Sequence, residues 1–463
     1  MTVEERIKNR KIGIIGMARS GMAAAFLADQ MGGKPFVSDT KAAEHLSGEL
    51  ERLRKNSIPF ETGGHTDRLL QCDYVVISPG VPLSAGIVEK VRAKGIPIFS
   101  EIEFASWACR GRIIGVTGSN GKTTTTTLLG HIFSAAGFDT FVCGNIGFPF
   151  AEIVAKIPEE GIAVVEVSNF QLETIADFRP AVAVILNLTP DHLDRHASFE
   201  EYKNIKYRIT ENQGPDERLV VNLDDPEIVA DNVASRASRV YFTAADRNDA
   251  AAFVRGDTLW GKYANGSVPI IDCRRILIPG PHNLQNAAAA VAVAVQFDIR
   301  PEVLKGVLEA FPGVEHRLEK VGKVAGIDFV NDSKATNVDS VCYALRSIDT
   351  PIHLIAGGRD KGSPYEPIAK WGKGKIKSVV VIGEAGDKIF HALGQSFPVQ
   401  FADSLEEAVR KSFEAAFPGE TVLLSPGCAS FDMFENFEQR GKVFKDAVAN
   451  LRNGKRNNET ISN

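Results

Sequence analysis

Short runs of apolar, mostly β-branched residues alternate along this chain with segments of helical periodicity. Runs of this length predict buried strands, and the intervening segments predict helices that cover the sheets. One run begins at residue 113, and the others span residues 11–15, 35–38, 74–78, 96–99, 162–165, 181–186, 219–223, 240–242, 327–330, 352–356, 379–382 and 422–424. Strands that alternate with helices predict an α/β fold with parallel sheets. Residues 245–275 break this pattern, and we expect them to be irregular.

Length and composition limit the classes of partner. The chain has 463 residues, which is enough for several domains with complete cores. Its net charge of −5 gives no support for binding to nucleic acid or to an anionic membrane surface. Six scattered cysteines without a Cys-x-x-Cys pair favour a reducing compartment. With neither a signal-peptide pattern nor an apolar run of membrane-spanning length, the sequence predicts a cytoplasmic protein.

A glycine-rich segment follows the run that begins at residue 113. It reads Gly118-Ser119-Asn120-Gly121-Lys122-Thr123, and a helix-length segment comes next. Glycines let backbone N–H groups approach phosphate oxygens, and a helix N-terminus adds its positive end. In such a loop Lys122 reaches the outer phosphates and the Thr123 hydroxyl binds Mg²⁺. Only two residues separate the glycines, where the usual Walker A loop has four, so a structural turn beside a surface lysine is the alternative.

Polar side chains follow two further runs in the same part of the chain. Glu166 ends the run at 162–165, and His192 follows the run at 181–186. Open α/β sheets bind ligands at the carboxyl ends of their strands, so Glu166 is a candidate Mg²⁺ ligand. His192 either binds a metal or caps a loop.

Lys206 shares one face of a predicted helix with apolar residues such as Tyr202 and Ile209, whereas Lys203 lies on another side. A lysine on an apolar face usually extends its ammonium to water. The alternative is that Lys206 points into a site, because it comes shortly after the segment that contains His192.

Two further features could bind a nucleotide. Asn283 and Asn286 lie three residues apart on one face of an alanine-rich helix, where amides either read an adenine edge or cap the helix. The turn at residues 16–21 leads from strand to helix, with Asp39 18 residues beyond it. The dinucleotide fingerprint fails there because Ala18 stands where its second glycine belongs.

These features divide the chain into three α/β domains. We place a Rossmann-like domain at residues 1–105, a central P-loop ATPase domain with a mostly parallel sheet at 106–312, and a C-terminal Rossmann-like domain at 313–463.

Together the segments resemble the Mur ligases over essentially the whole chain. The resemblance rests on residues 118–123, 166–172, 191–195, 282–286, 316–317, 331–337 and 425–430. Asn169 departs from the serine that the family's Ser-Ser-Phe-Gln motif would have there. The resemblance implies an ATP- and Mg²⁺-dependent ligase of peptidoglycan synthesis, in which a substrate carboxylate becomes an acyl phosphate and an amine then displaces the phosphate. Within the family, the third-domain sequence favours D-glutamate as the amino acid. The resemblance implies UDP-N-acetylmuramoyl-L-alanine as the other substrate, and we expect a monomer.

The resemblance also implies a role for each matching residue. The ATP residues are Gly118, Ser119, Asn120, Gly121, Lys122, Thr123, Thr124, Asn283, Arg317 and Asp332. The metal residues are Thr123, Glu166, His192 and Lys206, the last as a carbamate, and the catalytic group is Lys122, Glu166, His192 and Lys206. The UDP part of the substrate falls to Ala18, Arg19, Ser20, Asp39, Thr40 and Gly80, and D-glutamate to Thr336, Lys361, Ser430 and Phe437. The other substrate residues are Asn145, Lys334 and Phe431.

Three alternatives stay open. A GTPase-like switch would share the phosphate loop, but the chain has no Asn-Lys-x-Asp guanine signature. A non-catalytic dinucleotide-binding module would use residues 16–21, but the missing second glycine argues against it. Another Mur ligase, or an enzyme like folylpolyglutamate synthase, would use the same ATP residues with a different amino acid.

Overall fold

The computed structural model describes residues 3–191, 195–196, 198–231, 233–278, 280–362 and 364–461. Five parallel strands form the first sheet: β1 (Lys11–Ile15), β2 (Lys34–Ser38), β3 (Phe60–Glu61), β4 (Tyr74–Ile77) and β5 (Ile98–Ser100). Their order is β3-β2-β1-β4-β5. The helices of this part are α1 (Val3–Ile7), α2 (Arg19–Gln30), α3 (Ser47–Lys55), α4 (Gly86–Ala93) and α5 (Glu101–Ser106).

The second sheet begins with parallel strands and ends with an antiparallel edge. Its strands are β6 (Arg112–Thr117), β7 (Thr140–Gly144), β8 (Ile162–Glu166), β9 (Val182–Ile185), β10 (Arg218–Asn222), β11 (Ser238–Phe242), β12 (Ala252–Arg255), β13 (Thr258–Tyr263) and β14 (Gly266–Asp272). Their order is β14-β13-β12-β11-β10-β9-β6-β8-β7. The helices are α6 (Lys122–Ala135), α7 (Phe150–Ile153), α8 (Asn169–Leu172), α9 (Phe199–Tyr207), α10 (Pro226–Asp231), α11 (Pro281–Ala294) and α12 (Pro301–Ala310).

The third sheet has helices on both faces. Its strands are β15 (Glu319–Val324), β16 (Ile327–Asn331), β17 (Ile352–Gly357), β18 (Ile376–Ile382), β19 (Val399–Phe401) and β20 (Thr421–Leu424), in the order β15-β16-β20-β17-β18-β19. The helices are α13 (Val338–Ser347), α14 (Glu366–Gly372), α15 (Gly386–Leu393), α16 (Leu405–Ala415) and α17 (Phe437–Ile461). Consecutive residues of β17 point to opposite faces of the sheet, because Leu354 belongs to one apolar cluster and Ile355 to the other.

The predicted α/β class is confirmed, and each predicted run lies on an observed strand. The prediction of irregular chain at residues 245–275 is wrong, because β12, β13 and β14 form an antiparallel meander there. Its two glycine-containing turns are tight two-residue hairpin turns. A register shift between Leu259 and Trp260 breaks the strict alternation by which such strands are recognised in a sequence.

The chain forms two compact units. The first contains the first and second sheets, and the second contains the third sheet together with residues 273–285. The predicted domain boundaries after residues 105 and 312 stay predictions. Within the described residues, the helices lack the combination of length and apolar content that crossing a membrane requires.

Two buried glutamates of α5 connect the first sheet to the second. Both carboxylate oxygens of Glu103 accept backbone N–H bonds from residues 176–178, at 2.7–3.0 Å, and the Trp107 indole donates another at 2.7 Å. Glu101 accepts one from the N–H of Ala151 in α7 at 2.6 Å. Within the described residues, the other oxygen of Glu101 has no hydrogen-bond partner. Burial raises the pKa of Glu101 to about 7, against the opposing effect of its backbone bonds.

Glu101 therefore predicts a pH-dependent stability of this connection. Between pH 4.5 and about 7 the unfolded chain ionises Glu101 while the folded chain keeps it protonated, so stability falls as pH rises through this window. Glu101→Gln removes that loss, which is about 3 kcal/mol once pH exceeds 7. In thermal unfolding between pH 5 and pH 8, the melting temperature of Glu101→Gln should rise relative to that of the wild type as pH rises. The exposed Glu152→Gln on α7 is the control, and an equal slope for both variants would contradict the assignment.

Candidate active site

The glycine-rich loop connects the end of β6 to the start of α6, as the sequence predicts. Gly121 caps α6 with a left-handed φ of 83°. A Cβ on Gly121 would lie 2.2 Å from Oδ1 of Asn286 in α11. Only glycine fits this conformation and this approach. The loop is therefore pressed against α11, beside one of the two predicted amides.

The ammonium of Lys122 lies across this loop. Its Nζ donates to the carbonyl of Gly118 at 2.7 Å and to that of Ser119 at 2.8 Å. Phosphate oxygens are stronger acceptors than carbonyls because they are charged. The first-turn N–H groups of α6 have no intrahelical acceptors and add the positive end of the helix. These groups make the loop a candidate anion site, which includes Thr124, buried in that first turn.

Asn187 holds the loop from the next strand. Its side chain accepts from the N–H of Asn120 at 2.8 Å and donates to the carbonyl of Asn120 at 3.0 Å. Its own carbonyl accepts from the N–H of Ser119 at 2.9 Å. No role for Asn187 was predicted from the sequence. Its place directly after a strand was the only signal, because its partners lie more than sixty residues earlier in the chain.

Glu166 brings together three of the predicted site residues. It ends β8 with 2 % exposure. One carboxylate oxygen accepts from the Thr123 hydroxyl at 2.8 Å, and the other accepts from the Asn145 amide at 2.9 Å. A hydroxyl and a carboxylate beside an anion site are the oxygen ligands that Mg²⁺ takes when it bridges protein and phosphate. The donor set therefore fits Mg²⁺, with Thr123 and Glu166 as the protein ligands. His192, the third predicted ligand, lies outside the described residues.

Lys206 is buried in α9 with 1 % exposure. Its Nζ lies 4.6 Å from the centroid of the Tyr202 ring, and the Tyr202 hydroxyl is 3.0 Å from the Ser119 hydroxyl. One side chain thus links Lys206 to the phosphate loop. Lys203, which the sequence analysis placed on another side, is also buried, at 5 % exposure. Its charge meets Glu227 at 2.9 Å and Glu200 at 3.0 Å.

The predicted UDP residues gather at the carboxyl ends of three neighbouring strands of the first sheet. Ala18, Arg19 and Ser20 follow β1, Asp39 and Thr40 follow β2, and Gly80 follows β4. Asp39 accepts from the N–H of Met17 at 2.7 Å, which joins the first two strand ends. Arg19 donates to the carbonyl of Gly147 at 3.2 Å, in the loop that contains Asn145.

Three predicted ATP residues lie in the second compact unit. Asn283 is buried in the first turn of α11. Asp332 accepts from the Ser425 hydroxyl at 2.9 Å, and Arg317 approaches it to 4.0 Å. Burial raises the pKa of Asp332 to about 6, against the opposing charge of Arg317. Burial lowers the pKa of His282, beside Asn283, to about 3, and Arg317 lowers it further.

The predicted amino-acid residues follow strands β16, β17 and β20, which are neighbours in the third sheet. Lys334 and Thr336 follow β16, Lys361 follows β17, and Ser430 and Phe431 follow β20. Phe437 begins α17, and its ring lies 4.7 Å from Nζ of Lys334. The N–H of Gly427 donates to the carbonyl of Ala335 at 2.9 Å, which joins two of the strand ends. Two lysines and two hydroxyls at one sheet edge suit a ligand with carboxylates.

Arg440, which was not predicted from the sequence, is a buried cation under the same sheet edge. Its guanidinium donates to the hydroxyl and carbonyl of Ser333, at 3.0 and 2.7 Å, and to the carbonyls of Cys428 and Ala429, at 3.2–3.3 Å. It therefore holds two of the strand ends together. An arginine in a polar helix start gives no sequence signal of such a role.

Known proteins resemble this chain over nearly its whole length. Residues 11–86 match the MurD N-terminal domain, 116–294 the Mur ligase middle domain, and 316–428 the Mur ligase glutamate ligase domain. A UDP-N-acetylmuramoylalanine--D-glutamate ligase of Thermoanaerobacter sp. (strain X514) is 43 % identical over 453 residues, covering 96 % of this chain and 99 % of the relative. The protein of the same name from Chlorobium phaeobacteroides is also 43 % identical, covering 96 % of this chain and 99 % of the relative.

Solved structures share the fold. A pseudomurein peptide ligase type C from Methanothermus fervidus has a TM-score of 0.61 at 20 % identity, over 96 % of this chain and 100 % of that one. The UDP-N-acetylmuramate-alanine ligase MurC from Thermotoga maritima has a TM-score of 0.60 at 20 % identity, over 95 % and 99 %. A Mycobacterium tuberculosis folylpolyglutamate synthase has a TM-score of 0.57 at 16 % identity, over 73 % and 92 %.

Proposed function

The chain belongs to the Mur ligase family, and on that premise we propose that it joins D-glutamate to UDP-N-acetylmuramoyl-L-alanine with conversion of ATP to ADP and phosphate. The carboxylate of the alanyl residue becomes an acyl phosphate, and the amine of D-glutamate displaces the phosphate to form the amide. The step needs charge neutralisation and positioning more than a protein nucleophile. We further propose that the enzyme acts as a monomer in the cytoplasm, without nucleic acid or membrane.

The proposal depends on one observation at the ends of β6 and β8. Lys122 lies across the glycine-rich loop, and the hydroxyl of the next residue, Thr123, donates to Glu166. Lys122 exchanges its carbonyl acceptors for phosphate oxygens and stays with them as charge develops. Thr123 and Glu166 would hold Mg²⁺, which when bound neutralises charge on the transferred phosphate. Asn145 orients Glu166, so the carboxylate keeps its direction when a ligand enters.

The third sheet supports the choice of an acidic amino acid. Thr336, Lys361 and Ser430 lie at the carboxyl ends of three neighbouring strands, where open α/β sheets bind their ligands. Lysine ammonium groups and hydroxyls are donors for the two carboxylates of glutamate. Folylpolyglutamate synthase shares the fold, but the relatives that cover 96 % of the chain are D-glutamate ligases by name, which favours D-glutamate.

Steady ADP release tests the proposed function. It should require ATP, Mg²⁺, UDP-N-acetylmuramoyl-L-alanine and D-glutamate together, because phosphate leaves only when the amine attacks. ADP release at the same rate without the amino acid would indicate a nucleotide switch instead, and would contradict the proposal.

Lys361→Met should raise the KM for D-glutamate and leave the KM for ATP unchanged. A charge-assisted bond contributes roughly 1.5–3 kcal/mol, so we expect an increase of about 10- to 150-fold. Lys373→Met, at an exposed site of the same domain, is the matched control. Unchanged KM values for both substrates in Lys361→Met would place the amino-acid site elsewhere.

A further inference from the structure

Asp360 comes one residue before Lys361, and both of its carboxylate oxygens are engaged. One accepts from the Tyr365 hydroxyl at 2.9 Å and from the N–H of Gly362 at 3.1 Å. The other accepts from Nζ of Lys388, in α15, at 2.8 Å. Although partial burial raises the pKa of Asp360, the three hydrogen bonds outweigh it and hold that pKa below its usual value. The carboxylate is therefore charged at neutral pH, with Lys388 as its counter-ion.

This loop is fastened to the loop that contains Ser430. Arg359 and Ala429 exchange two backbone hydrogen bonds, at 2.9 and 3.2 Å. The Tyr365 hydroxyl also lies 3.1 Å from Sγ of Cys428. Gly358 has a φ of 130°, and a Cβ there would lie 2.3 Å from the carbonyl oxygen of Ala429. A change in the surroundings of Asp360 would therefore alter the conformation of both loops of the proposed amino-acid site.

The start of α15 belongs to the same assembly. The N–H of Ala385 donates to the carbonyl of Gly358 at 2.8 Å, and the N–H of Gly358 donates to the carbonyl of Ile382 at 3.1 Å. The helix that carries Lys388 is thus fixed in place against the loop that carries Asp360. The short ion pair follows from backbone geometry and not only from the reach of a long side chain.

Lys361 differs from Lys388 in its surroundings. Within the residues that the structure describes, Lys361 makes no ion pair, although a carboxylate directly precedes it in the chain. An ammonium that must bind a substrate carboxylate loses affinity when a carboxylate of the protein already neutralises it. Lys388 removes that competition from Asp360, the carboxylate adjacent to Lys361 in the chain, by pairing with it.

We infer that Lys388 is a positioning residue of the amino-acid site, which binds Asp360 and thereby leaves the ammonium of Lys361 available to a carboxylate of the acidic amino acid. The inference rests on the proposed function, since that is what assigns Lys361 to the amino acid. A purely structural Lys388, which only fastens α15 to the loop, is the competing explanation, and the two differ in what removal of Asp360 does.

Three variants separate these explanations by their steady-state KM values. Lys388→Met releases Asp360 toward Lys361 and should raise the KM for D-glutamate about two- to fivefold, with the KM for ATP unchanged. Adding Asp360→Asn to Lys388→Met removes the competing charge and should bring the KM for D-glutamate back toward the wild-type value. The exposed Lys377→Met, in β18, is the control for loss of one positive charge.

The outcomes are distinct. A structural role predicts that the double variant is no better than Lys388→Met, with a lower kcat and melting temperature in both, and this result would overturn the inference. A KM for D-glutamate that is unchanged in Lys388→Met would also overturn it while leaving the proposed function intact. A wild-type enzyme whose ADP release does not depend on D-glutamate would overturn the proposed function and the inference with it.

Discussion

Lys122→Ala is expected to abolish ATP-dependent ligation while the protein stays folded. In the structure the Lys122 ammonium donates to the carbonyls of Gly118 and Ser119 in its own loop, and its side chain is half-buried. Its loss therefore removes little packing. It does remove the charge that follows the transferred phosphate, and loss of one such electrostatic contact lowers kcat by about 10²–10³ or more. ATP affinity should fall as well, because the same ammonium binds the ground-state phosphates.

The measurement is single-turnover ADP formation together with ATP binding by calorimetry and a thermal melt. Lys156 is exposed and lies between α7 and β8. Lys156→Ala should match the wild type in ADP formation, ATP affinity and melting temperature. Near-normal ADP formation in a folded Lys122→Ala protein would contradict the phosphate-loop assignment.

Lys206→Ala is expected to have the second large effect. We propose that Lys206 acts as a carbamate, formed when its neutral amine adds CO₂ and releases a proton. A buried ammonium beside Mg²⁺ would repel the metal, whereas a carbamate supplies the anionic oxygen that Mg²⁺ prefers. Lys206 has 1 % exposure and is linked through Tyr202 to Ser119 of the loop. Activity should fall by at least about 10², as for loss of an electrostatic contact in the site.

Short carboxylates such as formate should restore part of the activity of Lys206→Ala, because they can enter the space left by the side chain. Lys203→Ala is the matched control, since Lys203 is also buried in α9 but is neutralised by Glu200 and Glu227. Its melting temperature should fall, with turnover retained and no response to formate. Full activity in Lys206→Ala would refute the carbamate.

Sequence reasoning identified the groups that depend on local pattern. The phosphate loop, Glu166 and the strand-end residues of the third sheet were found because a strand, its polar end and the following helix are contiguous in the chain. Glycine at position 121 could also be explained from the sequence, but the approach of Asn286 that requires it could not.

What the sequence did not predict depends on partners distant in the chain. Three side chains hydrogen-bond to backbone groups of loops that lie far away in sequence: Asn187, Glu103 and Arg440. Residues of these types occur in many other environments, so the residue type alone does not predict such a role. The burial of Lys203 was also not predicted. Helical periodicity placed Lys203 away from the apolar face, but ion pairs with Glu200 and Glu227 compensate its charge in a buried position. Tertiary pairing of this type leaves no period to detect.

The most direct test of the account is an amino-acid panel with UDP-N-acetylmuramoyl-L-alanine, ATP and Mg²⁺ held at saturation. ADP release and the mass of the nucleotide-sugar product are measured with D-glutamate, L-glutamate, L-alanine and meso-diaminopimelate. The account predicts stoichiometric ADP and product with D-glutamate, and background rates with the other three. Equal turnover with L-glutamate, or turnover with another member of the panel and none with D-glutamate, would contradict it.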